Sequence, residues 1–348
     1  MTTGTASADG TPLLQLDAVE QVFRTKKGDV PAVRGVDLHV NEGEVLCLVG
    51  ESGCGKTTTA RIAAGLAPPT GGRVLYRGRA LSEMGSEEKV QYRRGVQFVH
   101  QDPYASLNPI RTVFATLAAP LRKHGLATSR KDAWEQACRL LEQVDLRPPE
   151  NFLSKYPHQL SGGQRQRVAV ARALTLKPSL IVADEATSML DVSIRVGLLK
   201  MLSKLRTELG TGFVFITHDL AIARYFGTGG RIAVMYLGRV VEHGLTEEVI
   251  ENPQHPYTRA LLDAVPTMDD DEVGAVAGEA RKLRGVDIPS LLALPSGCTF
   301  HPRCPLFREG LCDTADPPLE PLAVAGGADR DVSCHVVREA VAEAGRAS

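Results

Sequence analysis

The run Gly50-Glu51-Ser52-Gly53-Cys54-Gly55-Lys56-Thr57-Thr58 carries residue types suited to phosphate. Glycines let successive backbone N–H groups curl around a phosphate without side-chain clashes. Lys56 can reach the β- and γ-phosphates of a nucleotide, and Thr57 can offer its hydroxyl to Mg²⁺. A helix starting at this loop adds the positive end of its dipole. Alone, such a P-loop says only that a nucleotide binds.

The acidic half of a hydrolytic site follows later. The apolar run 180–183 ends in Asp184-Glu185. Asp184 can hold Mg²⁺, commonly through water, and Glu185 stands where a general base would polarise the attacking water. An acidic pair at the end of a strand is commonplace, so the P-loop gives it this meaning. His218, in Thr217-His218-Asp219, closes the next apolar run and stands where a γ-phosphate sensor is expected. Gln101 follows the apolar-rich run 96–99, and an uncharged amide there can reach both Mg²⁺ and the water.

These groups need rigid carriers. Residues 44–49 are apolar on both faces after Glu44, which suits a central strand of a covered sheet. Residues 57–66 read as a helix, stopped by Pro68-Pro69. Strand, glycine loop and helix are the setting a P-loop requires. Residues 180–183 and 213–216 read as further buried strands with polar ends, as in an open α/β sheet. Val36-Asp37-Leu38-His39-Val40 alternates like a half-buried strand. Between about 105 and 160 the pattern turns helical, with Trp134, Ala137, Cys138, Leu141 and Val144 on one face.

The chain has 348 residues, is 43% hydrophobic and 23% charged, and carries a net charge of -1. That balance fits a soluble globular protein of two domains and offers no basic field for nucleic acid. Its apolar runs are too short to span a membrane. Residues 1–11 have neither basic start nor apolar core, and read as a disordered leader rather than a signal peptide. A cytosolic protein is expected, acting at a membrane only through partners. Residues 266–295 read as a linker, with Asp269-Asp270-Asp271-Glu272 as a solvated charge run.

Seven cysteines are unevenly placed, and Cys298, Cys304, Cys312 and Cys334 crowd one end. In a reducing compartment such a group reads as a metal site before disulfides. Four thiolates suit a [4Fe–4S] cluster or Zn²⁺, and unligated thiols remain the third option. Close C-x₂-C pairs are absent, which tilts the reading toward iron–sulfur. His301 and His335 could substitute in a zinc site. Some fifty residues (296–348) have too little core to stand without a staple, so a small metal-binding C-terminal domain is expected.

With Leu160-Ser161-Gly162-Gly163-Gln164, residues 12–265 resemble an ATP-binding-cassette (ABC) ATPase. The matching segments are 50–58, Gln101, 160–164, 180–185, Ser188-Met189-Leu190-Asp191 and His218. The resemblance implies a P-loop NTPase core of α/β class with a helical subdomain over about 105–160. It also implies a head-to-tail dimer with two ATPs sandwiched between P-loop and opposing signature. Ser161, Gly162, Gly163 and Gln164 would then contact nucleotide held by the partner's P-loop, Ser161 and Gly163 at the γ-phosphate. Phe23 lies where the family stacks an aromatic on adenine, core packing being the alternative. Ala186 replaces a frequent Pro, and Met189 replaces the usual Ala, so packing at the dimer interface is expected to differ.

Residues 101–109, Val234-Met235-Tyr236-Leu237-Gly238 and His255-Pro256-Tyr257-Thr258 resemble the oligopeptide, dipeptide and nickel importer group. So does the cysteine-bearing tail, which is associated there with a [4Fe–4S] cluster. That resemblance implies a second, often non-identical ATPase, two membrane permeases and an extracytoplasmic binding protein. Uptake of oligopeptides or dipeptides is the expected task. Nickel or another small solute is the alternative, and a soluble ABC ATPase the remoter one. The turn-rich segment after Gln101 is the candidate permease contact.

Overall fold

The structure is a computed structural model that describes residues 10–264, 283–322 and 330–347. The charge run at 269–272, most of the expected leader and much of the expected linker lie outside the described residues. Among the described residues two sheets form the frame. The larger has eight strands, and five of them run parallel. In space these five are Val96–Val99, Leu180–Asp184, Gly212–Thr217, Val45–Val49 and Arg231–Tyr236. The smaller is antiparallel, built from Gly28–Val40, Leu14–Thr25, Gly71–Tyr76 and Arg79–Ala80.

Period-two patterning explains the layering. Val45, Cys47 and Val49 face one core, with Ile181, Ala183, Phe213 and Phe215. Leu46 and Leu48 face the other, with Leu180, Val182, Val214 and Ile216. Both faces are covered, so these strands have no polar alternation. The second core also takes Leu14, Leu16, Val36 and Leu38 from the small sheet and Ala60, Ile62 and Ala63 from the helix Lys56–Ala63. Each fully buried aliphatic side chain contributes roughly 1.5–3 kcal/mol, so this sandwich holds the helix firmly behind the loop at 50–55.

Parallel register aligns the functional ends. Val49 pairs with Thr217, Asp184 with Ile216, and Val99 with Ala183. The residues that follow Val49, Val99, Ala183 and Thr217 therefore emerge at one edge of the sheet. Crossovers between parallel strands bring these distant sequence positions together.

Helices fill the interval between Val96–Val99 and Leu180–Asp184. Val113–Lys123 is capped by Thr112, whose hydroxyl accepts the Ala115 N–H, and Arg130–Gln143 by Ser129, which accepts from Asp132. Both bury positions four apart: Val113, Leu117 and Leu121 in one, Ala133, Ala137 and Leu141 in the other. The expected face led by Trp134 is rotated. Ala133 is buried in its place, and Trp134 stays 37% exposed, tilted against Phe114 at 5.1 Å.

The C-terminal segment is not a free-standing unit. Its strand Asp331–Val332 pairs with Arg239–Leu245 at the edge of the large sheet, and Glu320–Pro321 pairs with Asp331–Val332. Phe300 and Cys304 belong to the same core as Val45 and Phe213. Main-chain pairing and one aromatic anchor attach this segment to the cassette.

Candidate active site

The loop 50–55 leaves the strand Val45–Val49 and enters the helix Lys56–Ala63. Gly50 and Gly55 have φ of 149° and 107°. A Cβ on Gly50 would stand 2.2 Å from the Met235 carbonyl oxygen, and one on Gly55 2.2 Å from that of Ala32. Only glycine fits either position. Ser52 and Gly53 are exposed at the crest of the loop, and Cys54 is buried beneath it. Lys56 is buried, and its Nζ donates to the carbonyls of Gly50 and Glu51, both at 2.8 Å. Its ammonium is thus held against the loop that carries it. Thr57 and Thr58 are half-buried in the first turn of the helix.

Thr57 Oγ1 donates to Asp184 Oδ1 at 3.0 Å. The hydroxyl and carboxylate expected around Mg²⁺ therefore meet from opposite halves of the chain. Burial raises the Asp184 carboxyl above its ordinary value, and the Thr57 hydrogen bond partly offsets this. A buried carboxylate beside a hydroxyl is a donor set that suits a hard divalent cation.

Glu185 follows with φ 43°. A left-handed backbone costs a side-chain-bearing residue about 1–2 kcal/mol. Its N–H donates to the Ile216 carbonyl at 3.1 Å, which holds this turn against the neighbouring strand. Its carboxylate is gripped on both sides: Gln101 Nε2 donates to Oε2 at 3.0 Å, and His218 Nδ1 lies 3.4 Å from Oε1. Ser188 adds a further link missing from the candidate site residues. Its hydroxyl donates to the Glu185 carbonyl at 3.0 Å and accepts from Gln101 at 3.4 Å. The signal for it was present in Ser188-Met189-Leu190-Asp191. A carboxylate oriented by an amide and an imidazole can hold a water and take its proton.

Ser161 caps the helix Gly162–Leu174 in a reciprocal capping box. Its hydroxyl accepts the Gln164 N–H at 3.3 Å, and Gln164 Oε1 accepts the Ser161 N–H at 3.0 Å. Ser161 is exposed. A Cβ on Gly163 would approach Ile194 Cγ2 to 2.5 Å, so glycine lets the helix start lie close to the helix Val192–Leu209. The N-terminus of this helix carries the positive end of its dipole. Phe23 lies on the strand Leu14–Thr25 and is 46% exposed. Ala186 is buried, whereas Met189 is 61% exposed.

Residues 33–188 match the ABC transporter family, and residues 241–312 match the oligopeptide/dipeptide transporter C-terminal region. A probable peptide ABC transporter ATP-binding protein of Sinorhizobium fredii is 45% identical over 320 residues, covering 92% of this chain and 86% of that protein. The oligopeptide transport ATP-binding protein of Bacillus subtilis is 42% identical over 317 residues, covering 90% and 92%. The chain belongs to the ABC transporter ATP-binding proteins.

Among solved structures, a dimeric ATP-binding cassette in a post-hydrolysis state with ADP and Pi superposes with a TM-score of 0.60 at 33% identity. The match covers 67% of this chain and 98% of that one. As an ABC ATPase the protein hydrolyses ATP and uses Mg²⁺.

In the ATPase, Cys298, Cys304, Cys312 and Cys334 line one cavity with His301 and His335. Cys312 Sγ accepts the Arg308 N–H at 3.4 Å, and the backbone N–H groups of Phe300, Leu306, Val336 and Val337 pull the Cys298, Cys304 and Cys334 thiols down, against burial. Burial pushes the Cys298 and Cys304 thiols up to about 12. Among the described residues, no three His, Cys, Asp or Glu form a grouping that could hold a metal ion. The expected ligand set is gathered around one cavity without being assembled. Among the described residues, no helix is long and apolar enough to cross a membrane.

Proposed function

We propose that the ATPase drives uptake of oligopeptides or dipeptides as a peripheral subunit at the cytoplasmic face of the cell membrane. It pairs head-to-tail with a second ABC ATPase, a paralogue, beneath two permeases fed by an extracytoplasmic binding protein. The peptide cargo is supported by the names of relatives matching most of the chain and by the C-terminal region match over 241–312. Residues 12–265 form the motor, with the helical subdomain near 105–160, and residues 296–348 the cysteine-bearing segment built onto it.

The observation that carries the chemistry is the Glu185 carboxylate held between Gln101 and His218, beside Thr57 and Asp184. Glu185 acts as general base toward water. His218 senses the γ-phosphate, and Gln101 links metal and water. Thr57, Asp184 and Gln101 would hold Mg²⁺, which neutralises charge developing on the phosphates. Residues 50–58, Lys56 foremost, cradle the phosphates. Phe23 stacks on adenine, its exposure leaving the ring free to do so. Ser161, Gly162, Gly163 and Gln164 close the partner's site.

Cys298, Cys304, Cys312 and Cys334 would hold a [4Fe–4S] cluster of structural role. Four thiols around one cavity support this reading, one of them, Cys312, accepting the Arg308 N–H. Loading would release the thiol protons. Isolation of the complex from its native membrane, with identification of every chain, tests the assembly. Recovery of a cassette pair with two permeases is expected. Recovery as a free soluble ATPase would contradict it.

A further inference from the structure

The loop that cradles phosphate is braced by a residue far along the chain. Arg303 donates to Glu51 in a two-pronged ion pair: Nη1 to Oε2 at 2.8 Å and Nη2 to Oε1 at 2.9 Å. The Arg303 side chain is 6% exposed and that of Glu51 23%. Glu51 is the second residue of the phosphate loop, and its own carbonyl accepts from Lys56 Nζ at 2.8 Å. Its N–H donates to the Tyr257 hydroxyl at 2.9 Å. All three polar parts of Glu51 are therefore occupied, two of them by residues outside the cassette's motifs.

Arg303 is itself tightly placed. Its guanidinium lies 5.8 Å from the ring centroids of both Tyr236 and Phe300. Phe300 packs edge-on against Tyr236 at 5.2 Å and against Tyr257 at 5.4 Å. Tyr236 ends the strand Arg231–Tyr236, and Gly238, two residues further on, donates to the Cys54 carbonyl at 2.9 Å. Aromatic packing thus fixes the arginine, and the planar fork of the arginine fixes the carboxylate.

We infer that Arg303 is a positioning residue for ATP binding, acting through Glu51 on the backbone that orients Lys56. The turn 298–304 is then part of the nucleotide site, and its seating sets affinity for MgATP. This role rests on residues 50–58 being the nucleotide loop. It differs from a folding role in what it changes. A brace that only stabilised the fold would lower melting temperature and leave the affinity of the folded protein unaltered.

The test is equilibrium binding of MgATP to the purified full chain, with turnover measured alongside. Arg303→Gln leaves the Glu51 carboxylate unpaired beside the loop, and Kd and KM should rise about tenfold with kcat within about twofold. Arg303→Lys, which keeps charge but loses the fork, should fall between. Glu51→Gln provides the second entry, on the less buried partner, should Arg303→Gln fail to fold. The pair Glu51→Gln with Arg303→Gln should bind more tightly than the sum of the single losses predicts, as coupled residues do. Unchanged Kd in folded Arg303→Lys and Glu51→Gln proteins, or strict additivity in the double variant, would overturn the inference. Lys56→Ala is the control: if it too bound MgATP normally, the nucleotide-loop reading would fail, not the brace alone.

Discussion

Gln101 Nε2 donates to Glu185 Oε2 at 3.0 Å across 84 positions of sequence, and His218 flanks the same carboxylate from a third strand. Neighbouring parallel strands end level, so an amide, a carboxylate and an imidazole reach one point. The carboxylate that would take the water's proton is thereby oriented before substrate arrives. Glu185→Gln should keep MgATP binding, trap a closed dimer and slow phosphate release roughly 10²–10⁴-fold. Phosphate release near the wild-type rate would remove Glu185 as base.

Lys56 has its charge committed to the loop through the Gly50 and Glu51 carbonyls. Lys56→Ala should weaken MgATP binding by about 100-fold, the loss of about 3 kcal/mol of charge-assisted hydrogen bonding. Calorimetric titration reads this directly, and unaltered affinity would contradict the assignment.

Ser161, exposed at the cap of its helix, is proposed to act across the dimer interface. A mixture of Ser161→Arg and Lys56→Ala chains should retain at most one intact composite site per mixed dimer. Steady-state hydrolysis by such mixtures against subunit ratio checks this. Full-rate hydrolysis by a lone protomer would contradict the sandwich.

The phosphate loop was legible because its glycines and lysine meet a backbone demand that other residues cannot. The strands 45–49, 180–184 and 212–217 were legible because burial on both faces leaves continuous apolar runs. The pairing of Glu51 with Arg303 was not: a single ion pair across 252 positions leaves no local trace. The attachment of the tail was hidden for a similar reason: Glu320–Pro321 and Asp331–Val332 are too short for periodicity to register. Trp134 misled because helical spacing fits it to the face of Ala137 and Leu141, whereas the helix buries Ala133 there instead.

His255, in the segment His255-Pro256-Tyr257-Thr258, caps the helix Pro256–Asp263, its Nδ1 accepting the Tyr257 N–H at 3.1 Å. It is 1% exposed, and burial pulls its pKa from 6.5 down to about 3. The unfolded chain binds this proton below its ordinary 6.5, whereas the native imidazole stays neutral until about 3. Stability is therefore present above 6.5 and lost as pH falls through that window, by up to about 1.4 kcal/mol per pH unit. His255→Asn keeps a capping acceptor without a titrating ring. Its melting temperature should fall less steeply with acid than that of the wild type. Identical slopes would contradict the buried neutral imidazole.

The cysteine cavity makes a separate claim. Anaerobically purified protein should be brown, absorb broadly near ~400 nm and carry about four irons. Serine at Cys298, Cys304, Cys312 or Cys334 should bleach it. Colourless protein with one zinc would reject the cluster but keep the staple, and metal-free protein indifferent to all four substitutions would reject both.

The central claim is that ATP hydrolysis at this site powers peptide uptake, and transport in sealed proteoliposomes tests it most directly. The complete complex is reconstituted with its binding protein, and labelled oligopeptide, dipeptide and nickel are offered with MgATP on the cassette side. Accumulation of labelled peptide, dependent on ATP and abolished by Glu185→Gln, is the predicted result. Accumulation of nickel but no peptide, or peptide uptake that continues with Glu185→Gln in both cassettes, would contradict it.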